Sequence, residues 1–187
     1  MVVGRAVHGW SHGFSLKNEH NIESRMERFH HGVSKSIVFH NADKEKYFTP
    51  SNRSALWRVS LKVADRVTNV IQHPQNVFYS NLYRVSNQAW NPSGGLRNVQ
   101  LELCKQILAA EVKIFRPKLI LILTGYDWAK PFTSYLDCSL QSFRSLEYVE
   151  KAGRLDQSIV VVSKHPMAKP EEPQVKELLS TITSCKP

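Results

Sequence analysis

Four short apolar runs punctuate the chain, at residues 1–3, 77–79, 119–123 and 159–162. The last two are unbroken Leu, Ile and Val, the pattern of strands covered on both faces. Between the runs, apolar residues recur at helical spacing. Residues 56–71 place Leu56, Val59, Val63, Val67 and Val70 close to one face. Residues 99–115 carry Val99, Leu103, Ile107, Ala110 and Ile114 as a stripe, with Asn98 as the expected N-cap and Pro117 as the stop. Residues 127–137 read as a further helix. Residues 171–183 read as a last one, with acids in a first turn where they suit the dipole. Strands alternating with helices predict an α/β fold, a three-layer α/β/α sandwich around a central parallel sheet of about four strands. Residues 11–52 are poorly defined by pattern, with a short helical stretch expected near 22–31. No internal repeat or low-complexity segment interrupts the chain. The first run is short for a strand, and an N-terminal strand that is truncated is one expectation.

Each apolar run is followed at once by a polar or glycine-bearing segment. These are Gly4-Arg5-Ala6-Val7-His8-Gly9-Trp10, Ser80-Asn81-Leu82-Tyr83-Arg84, Thr124-Gly125-Tyr126-Asp127 and Ser163-Lys164-His165-Pro166. Ligands of open α/β sheets bind outside the carboxyl ends of the strands. Parallel strands are therefore expected to make neighbours of Gly4, Asn81, Gly125 and His165.

Composition sets bounds on this picture. A chain of 187 residues, 42% hydrophobic and 22% charged, suits one domain over residues 1–187 with a buried core. No apolar run approaches the ~20 residues that span a bilayer, so no membrane role is expected. Met1 to Val3 lead straight into polar residues, unlike a signal peptide. Cys104, Cys138 and Cys185 are far apart and odd in number, which argues against a disulfide framework, a zinc site or an iron–sulfur cluster. A reduced, intracellular, cytoplasmic monomer without cofactor is expected. Net charge is +9, and it is uneven: residues 1–100 hold 13 Lys and Arg against 6 Asp and Glu, residues 101–187 hold 12 against 10. Such a half attracts a polyanion, and nucleic acid, DNA above all, is the expected partner. A solvated basic surface accounts for the same charge.

The order of these segments resembles the uracil-DNA glycosylase superfamily. It has a glycine-led loop after strand one, an Asn after strand two, a Pro-Lys-led apolar strand, and His-Pro after strand four. The stretch from Phe78 to Gly125, FYSNLYRVSNQAWNPSGGLRNVQLELCKQILAAEVKIFRPKLILILTG, is its strongest piece. The resemblance implies a hydrolase that flips a deaminated or damaged base such as uracil and cleaves its N-glycosidic bond. It implies that His165 donates a hydrogen bond to the departing base, with Ala6 and Arg5 in the motif that positions the attacking water. Asn81 would read the base, with Gly4, Gly125 and an aromatic, Trp10 or Phe14, shaping and stacking its pocket. Lys164, Pro166, Met167 and Arg84 would meet the nucleic-acid backbone.

The chain departs from the family at three places. Val7 stands where Pro is usual, Ala6 where some members have Asp, and Met167 where Ser usually follows His-Pro. These departures keep a second reading open, a nucleobase- or nucleic-acid-binding domain of the same fold with weak or no catalysis. Local readings also stay open: Asn81 as a turn cap, His165 as an ordinary residue before proline, and Arg5 as a phosphate ligand or the partner of an acid. His8, His12, His30, His31 and His40 are scattered without metal-helix spacing. The glycines around Arg5 lack the dinucleotide fingerprint.

Overall fold

The computed structural model of the chain describes residues 1–6, 54–68, 77–86, 91–143 and 145–185. These residues form an α/β fold. In chain order they give β1 (Val2–Ala6), α1 (Ala55–Thr68), β2 (Tyr79–Tyr83), α2 (Gly94–Phe115), β3 (Leu119–Leu123), α3 (Tyr126–Tyr135), β4 (Ser139–Ser142), β5 (Val149–Leu155), β6 (Ser158–Ser163) and α4 (Glu171–Ser184). One six-stranded sheet runs β2-β1-β3-β6-β5-β4. β2, β1, β3 and β6 are mutually parallel, and β5 and β4 extend that sheet antiparallel.

The expected sheet of about four parallel strands is thus corrected to a mixed sheet of six. The four parallel strands are those the apolar runs announced. The two added strands lack such a run. β5 reads VEKAGRL, with only Val149 and Ala152 buried, and β4 reads SLQS on the sheet edge, mostly exposed. Polar residues suit an edge that must not pair with another chain. A two-residue turn joins β5 to β6. In it Asp156 takes the left-handed conformation at φ 51°, which Asp tolerates better than most residues.

Gly153 is fixed by the β4–β5 pairing. A Cβ there would lie 1.8 Å from the Ser139 carbonyl oxygen, and backbone cannot swing aside as a side-chain tip does. Gly153→Ala is expected to unzip β4 at a cost of roughly 1–3 kcal/mol. Hydrogen exchange checks this, since the β4 amides should lose protection, and unchanged protection would refute it.

Side chains alternate between the faces of the sheet, and each face has its own core. Val2, Leu121, Val161 and Ala152 pack with Leu56, Val59 and Val63 of α1 and Val175, Leu178 and Ile182 of α4. Val3, Ile120, Ile122, Val160 and Val162 pack with Cys104 and Leu108 of α2 and Ala129 and Phe132 of α3. The expected α2 stripe is corrected: Val99, Leu103 and Ile114 are 86%, 62% and 72% exposed, and the buried face is Gln100, Cys104 and Leu108. The N-cap is Ser93, whose Oγ accepts the Leu96 N–H, so α2 starts earlier than Asn98 suggested. Among the described residues no helix is long and apolar enough to cross a membrane.

Ion pairs clamp α1 to α4. Arg58 and Lys62 bond Glu171, and Lys62 and Arg66 bond Glu172. Burial pushes the Glu171 carboxyl up, but the hydrogen bonds and charges of Arg58 and Lys62 outweigh it and hold the group below its ordinary value. A depressed carboxyl stabilises the fold above its unfolded pKa of about 4.3, and that contribution disappears as pH falls through the lower folded value. Glu171→Gln is therefore expected to lower the melting temperature at pH 7 and to match the parent in strong acid. A constant difference across that range would refute the clamp.

Candidate functional site

The four parallel strands bring Ala6, Tyr83, Leu123 and Ser163 to one edge of the sheet. α1, α2 and α3 run back from that edge to feed a following strand, and α4 starts a few residues beyond β6, so the positive ends of the helix dipoles gather there. Gly125 and His165 lie just beyond β3 and β6, as expected. Gly4 and Asn81 lie inside their strands and are paired across the ladder, a correction to the post-strand position the sequence suggested. The reason is that β1 and β2 continue three and four residues past their apolar runs.

Asn81 is 6% exposed, and its Oδ1 accepts the Tyr79 hydroxyl at 2.9 Å. Burial pushes the Tyr79 phenol up to about 12, so it stays a donor at neutral pH. Gly4 makes this arrangement possible. A Cβ there would sit 2.6 Å from the Tyr79 hydroxyl and 2.7 Å from Asn81 Oδ1. Gly4 and Asn81 therefore form one unit on the α1 side of the sheet.

His165 is held by its own loop. Its Nδ1 accepts the Met167 backbone N–H at 3.1 Å. A backbone N–H can only donate, so the neutral ring carries its proton on Nε2. The loop is anchored below. Ser163 Oγ donates to the Tyr148 carbonyl, and buried Gln174 Nε2 donates to Ser163 Oγ and the Lys164 carbonyl. The Lys164 N–H bonds the Tyr148 carbonyl, and the Lys169 N–H closes a turn onto the Pro166 carbonyl. Pro166 is buried, while Lys164 and Met167 are exposed, Met167 at 66%.

Gly125 joins β3 to β6 through its N–H to the Ser163 carbonyl, 2.9 Å. Its φ of 84° lies in the region that favours glycine. It opens α3, whose Tyr126 N–H is capped by Glu150 Oε2 at 2.7 Å. Lys151 Nζ sits over the Tyr126 ring.

Arg5 points to the opposite face from Gly4. Its Nε donates to the Thr124 carbonyl at 2.9 Å, and its guanidinium lies 5.2 Å from the centroid of the Trp128 ring. Burial lowers the Arg5 pKa from its ordinary value, and the group stays charged at neutral pH. The Arg97 guanidinium lies 4.7 Å from the same Trp128 centroid, and Tyr83 meets Trp128 edge-on. Arg84 is engaged elsewhere: its Nη2 bonds Glu111 and Ser80 on the α2 side. Trp10, Phe14 and the side chain of Ala6 lie outside the described residues.

Sequence reasoning missed Arg97, Trp128 and Glu150. Glu150 sits in a strand without an apolar run, and Arg97 precedes Asn98, the N-cap expected for α2. Gly94-Gly95 beside an Arg was the available signal. Among the described residues no three His, Cys, Asp or Glu side chains gather as metal ligands would. No protein-family model matches the chain, and no curated protein matches it significantly.

Proposed function

We propose that this domain is a DNA glycosylase-like hydrolase that takes a flipped, deaminated or damaged base such as uracil and cleaves its N-glycosidic bond. One observation carries the reading: His165, fixed at the carboxyl end of β6, has its tautomer set with the proton on Nε2. As the glycosidic bond breaks, the departing base gathers negative charge on its oxygens. A preset N–H donor stabilises that charge without reorganising. A base must leave the stack to reach such a group. Asn81, held beside Gly4, supplies an amide for the polar edge of the base, and water completes the hydrolysis. The segment order that resembles the uracil-DNA glycosylase superfamily supports the same assignment, and the +9 net charge suits a DNA partner. The protein works as a monomer in the cytoplasm without cofactor or metal. The three cysteines, all free, fit a reducing compartment.

A second reading, binding without cleavage, is favoured by two of the described carboxylates near this edge. Glu150 caps Tyr126, and Glu177 accepts the N–H groups of Glu147, Tyr148 and Val149. Both therefore serve backbone rather than water.

Uracil-containing single- and double-stranded oligonucleotides, cut at abasic sites after incubation, decide between the two. Strand scission that depends on His165 supports the hydrolase. Salt-sensitive binding without scission supports the binding domain. No activity on uracil, hypoxanthine or xanthine substrates refutes the hydrolase.

A further inference from the structure

The start of α2 is built from residues that neither packing nor backbone conformation requires. Gly94 and Gly95 open the helix, and two glycines in succession weaken a helix relative to alanine. Neither has a positive φ. A Cβ on Gly95 would meet nothing within 4 Å, and one on Gly94 only Arg97 Nη2 at 4.0 Å. What a missing Cβ supplies here is close approach to the backbone N–H groups of the first turn. Ser93 caps the Leu96 N–H, and the first turn holds no acidic residue to answer the dipole.

Beside this turn lie two cations on one indole. Arg97 and Arg5 sit 4.7 and 5.2 Å from the Trp128 ring centroid, so the guanidinium groups lie within about 10 Å of each other. Neither is in an ion pair with a carboxylate among the described residues. The Arg97 Nε is buried without an acceptor among them. Like charges placed this close, with unused donors, are stabilised by an anion. Guanidinium groups suit phosphate because their planar fork matches its oxygens.

We propose that the first turn of α2, with Arg97 and Arg5 stacked on Trp128, is a phosphate-binding site. The N–H groups of Gly94 and Gly95 and the Arg97 guanidinium contact the phosphate oxygens. Arg5, tied to the Thr124 carbonyl, contributes charge and links the site to the end of β3. The site does not depend on cleavage of any bond, so it stands or falls separately from the hydrolase reading. The phosphate belongs either to a nucleic-acid strand or to a free nucleotide, and the two are separated by experiment.

Binding of a labelled single-stranded oligodeoxynucleotide and of a mononucleotide is measured across a salt series for the parent, Arg97→Ala, Arg97→Lys and Gly95→Ala. A nucleoside without phosphate serves as control. Arg97→Ala is expected to weaken the phosphate-bearing ligand at least 10-fold, with Arg97→Lys intermediate and the nucleoside unaffected. If the source is a strand, the salt slope falls by about 0.7 for the lost contact. If it is a nucleotide, the loss appears in the mononucleotide arm. Gly95→Ala is expected to raise the melting temperature and yet weaken binding, which a residue of merely structural importance does not do. Unchanged affinity for both ligands in Arg97→Ala and Gly95→Ala, with both variants folded, overturns the proposal. His165-dependent scission with no Arg97 dependence of binding would sink this site alone. Arg97-dependent binding without scission would sink the hydrolase alone.

Discussion

His165→Ala is expected to slow base release by about 10²–10³-fold, the usual cost of removing one donor aimed at a developing oxyanion. The ring accepts the Met167 N–H at Nδ1, so the single proton of the neutral ring is on Nε2. Alanine removes that donor and also leaves the Met167 N–H without its acceptor. The N–H is on an exposed segment, where water replaces the ring at little cost. The loop keeps its other anchors, in Ser163, Gln174 and the turn at Pro166. Stability is therefore expected to change little while the rate changes greatly. Single-turnover rates on a uracil oligonucleotide, set beside melting temperatures, read the two effects separately. Equal rates in parent and variant would remove His165 from the mechanism. His165→Gln, which keeps a donor on a different stem, is expected to recover part of the rate.

Phe132→Ala is expected to cost about 3–5 kcal/mol, the range for emptying a phenyl site in a packed core. That is a large share of the roughly 5–15 kcal/mol that holds a domain of this kind together. Phe132 is fully buried between α3 and the sheet and meets the Tyr83 ring edge-on at 5.3 Å. α3 has ten residues with Pro131 inside it, too short and too interrupted to persist without docking. Its anchors are Phe132, Ala129 and Thr133, and Trp128 rides on the same helix. Loss of Phe132 should therefore lower the melting temperature and loosen the indole that the two arginines share. Chemical denaturation reads the first effect, and oligonucleotide affinity under native conditions reads the second. A loss below about 1 kcal/mol would mean that α3 is held by something other than this core.

Local pattern reached the parallel half of the sheet. The runs at 119–123 and 159–162 became β3 and β6 because an unbroken Leu, Ile and Val run has only a doubly covered strand to enter. The last two helices also match their pattern. Strand order then brings Gly125 and His165 to one edge, a consequence of parallel direction that needs no side-chain detail.

The misses share a cause, which is that long-range partners decide them. β5 and β4 carry no apolar signature, because each exists only through the strand beside it. α2 offers two stripes about 100° apart, and sequence favours the more apolar one. The fold buries the other, because Gln100 satisfies the end of β2. Its Oε1 accepts the N–H groups of Arg84 and Val85, and its Nε2 donates to the Val85 carbonyl. A buried polar side chain with three such bonds is stable, and nothing in its own neighbourhood of sequence announces them. The same holds for Arg97, Trp128 and Arg5, which lie 31 residues or more apart along the chain and meet only after α2 and α3 pack on β1. The sequence by itself determined the alternation of strands and helices, the basic charge and the sheet edge that gathers Gly125 and His165, since these follow from spacing and residue type. Only the tertiary structure decided which helix face is buried, how many strands the sheet has, which tautomer His165 holds and which arginines share an indole. Each of those depends on partners that folding, not sequence proximity, brings within hydrogen-bond or van der Waals reach.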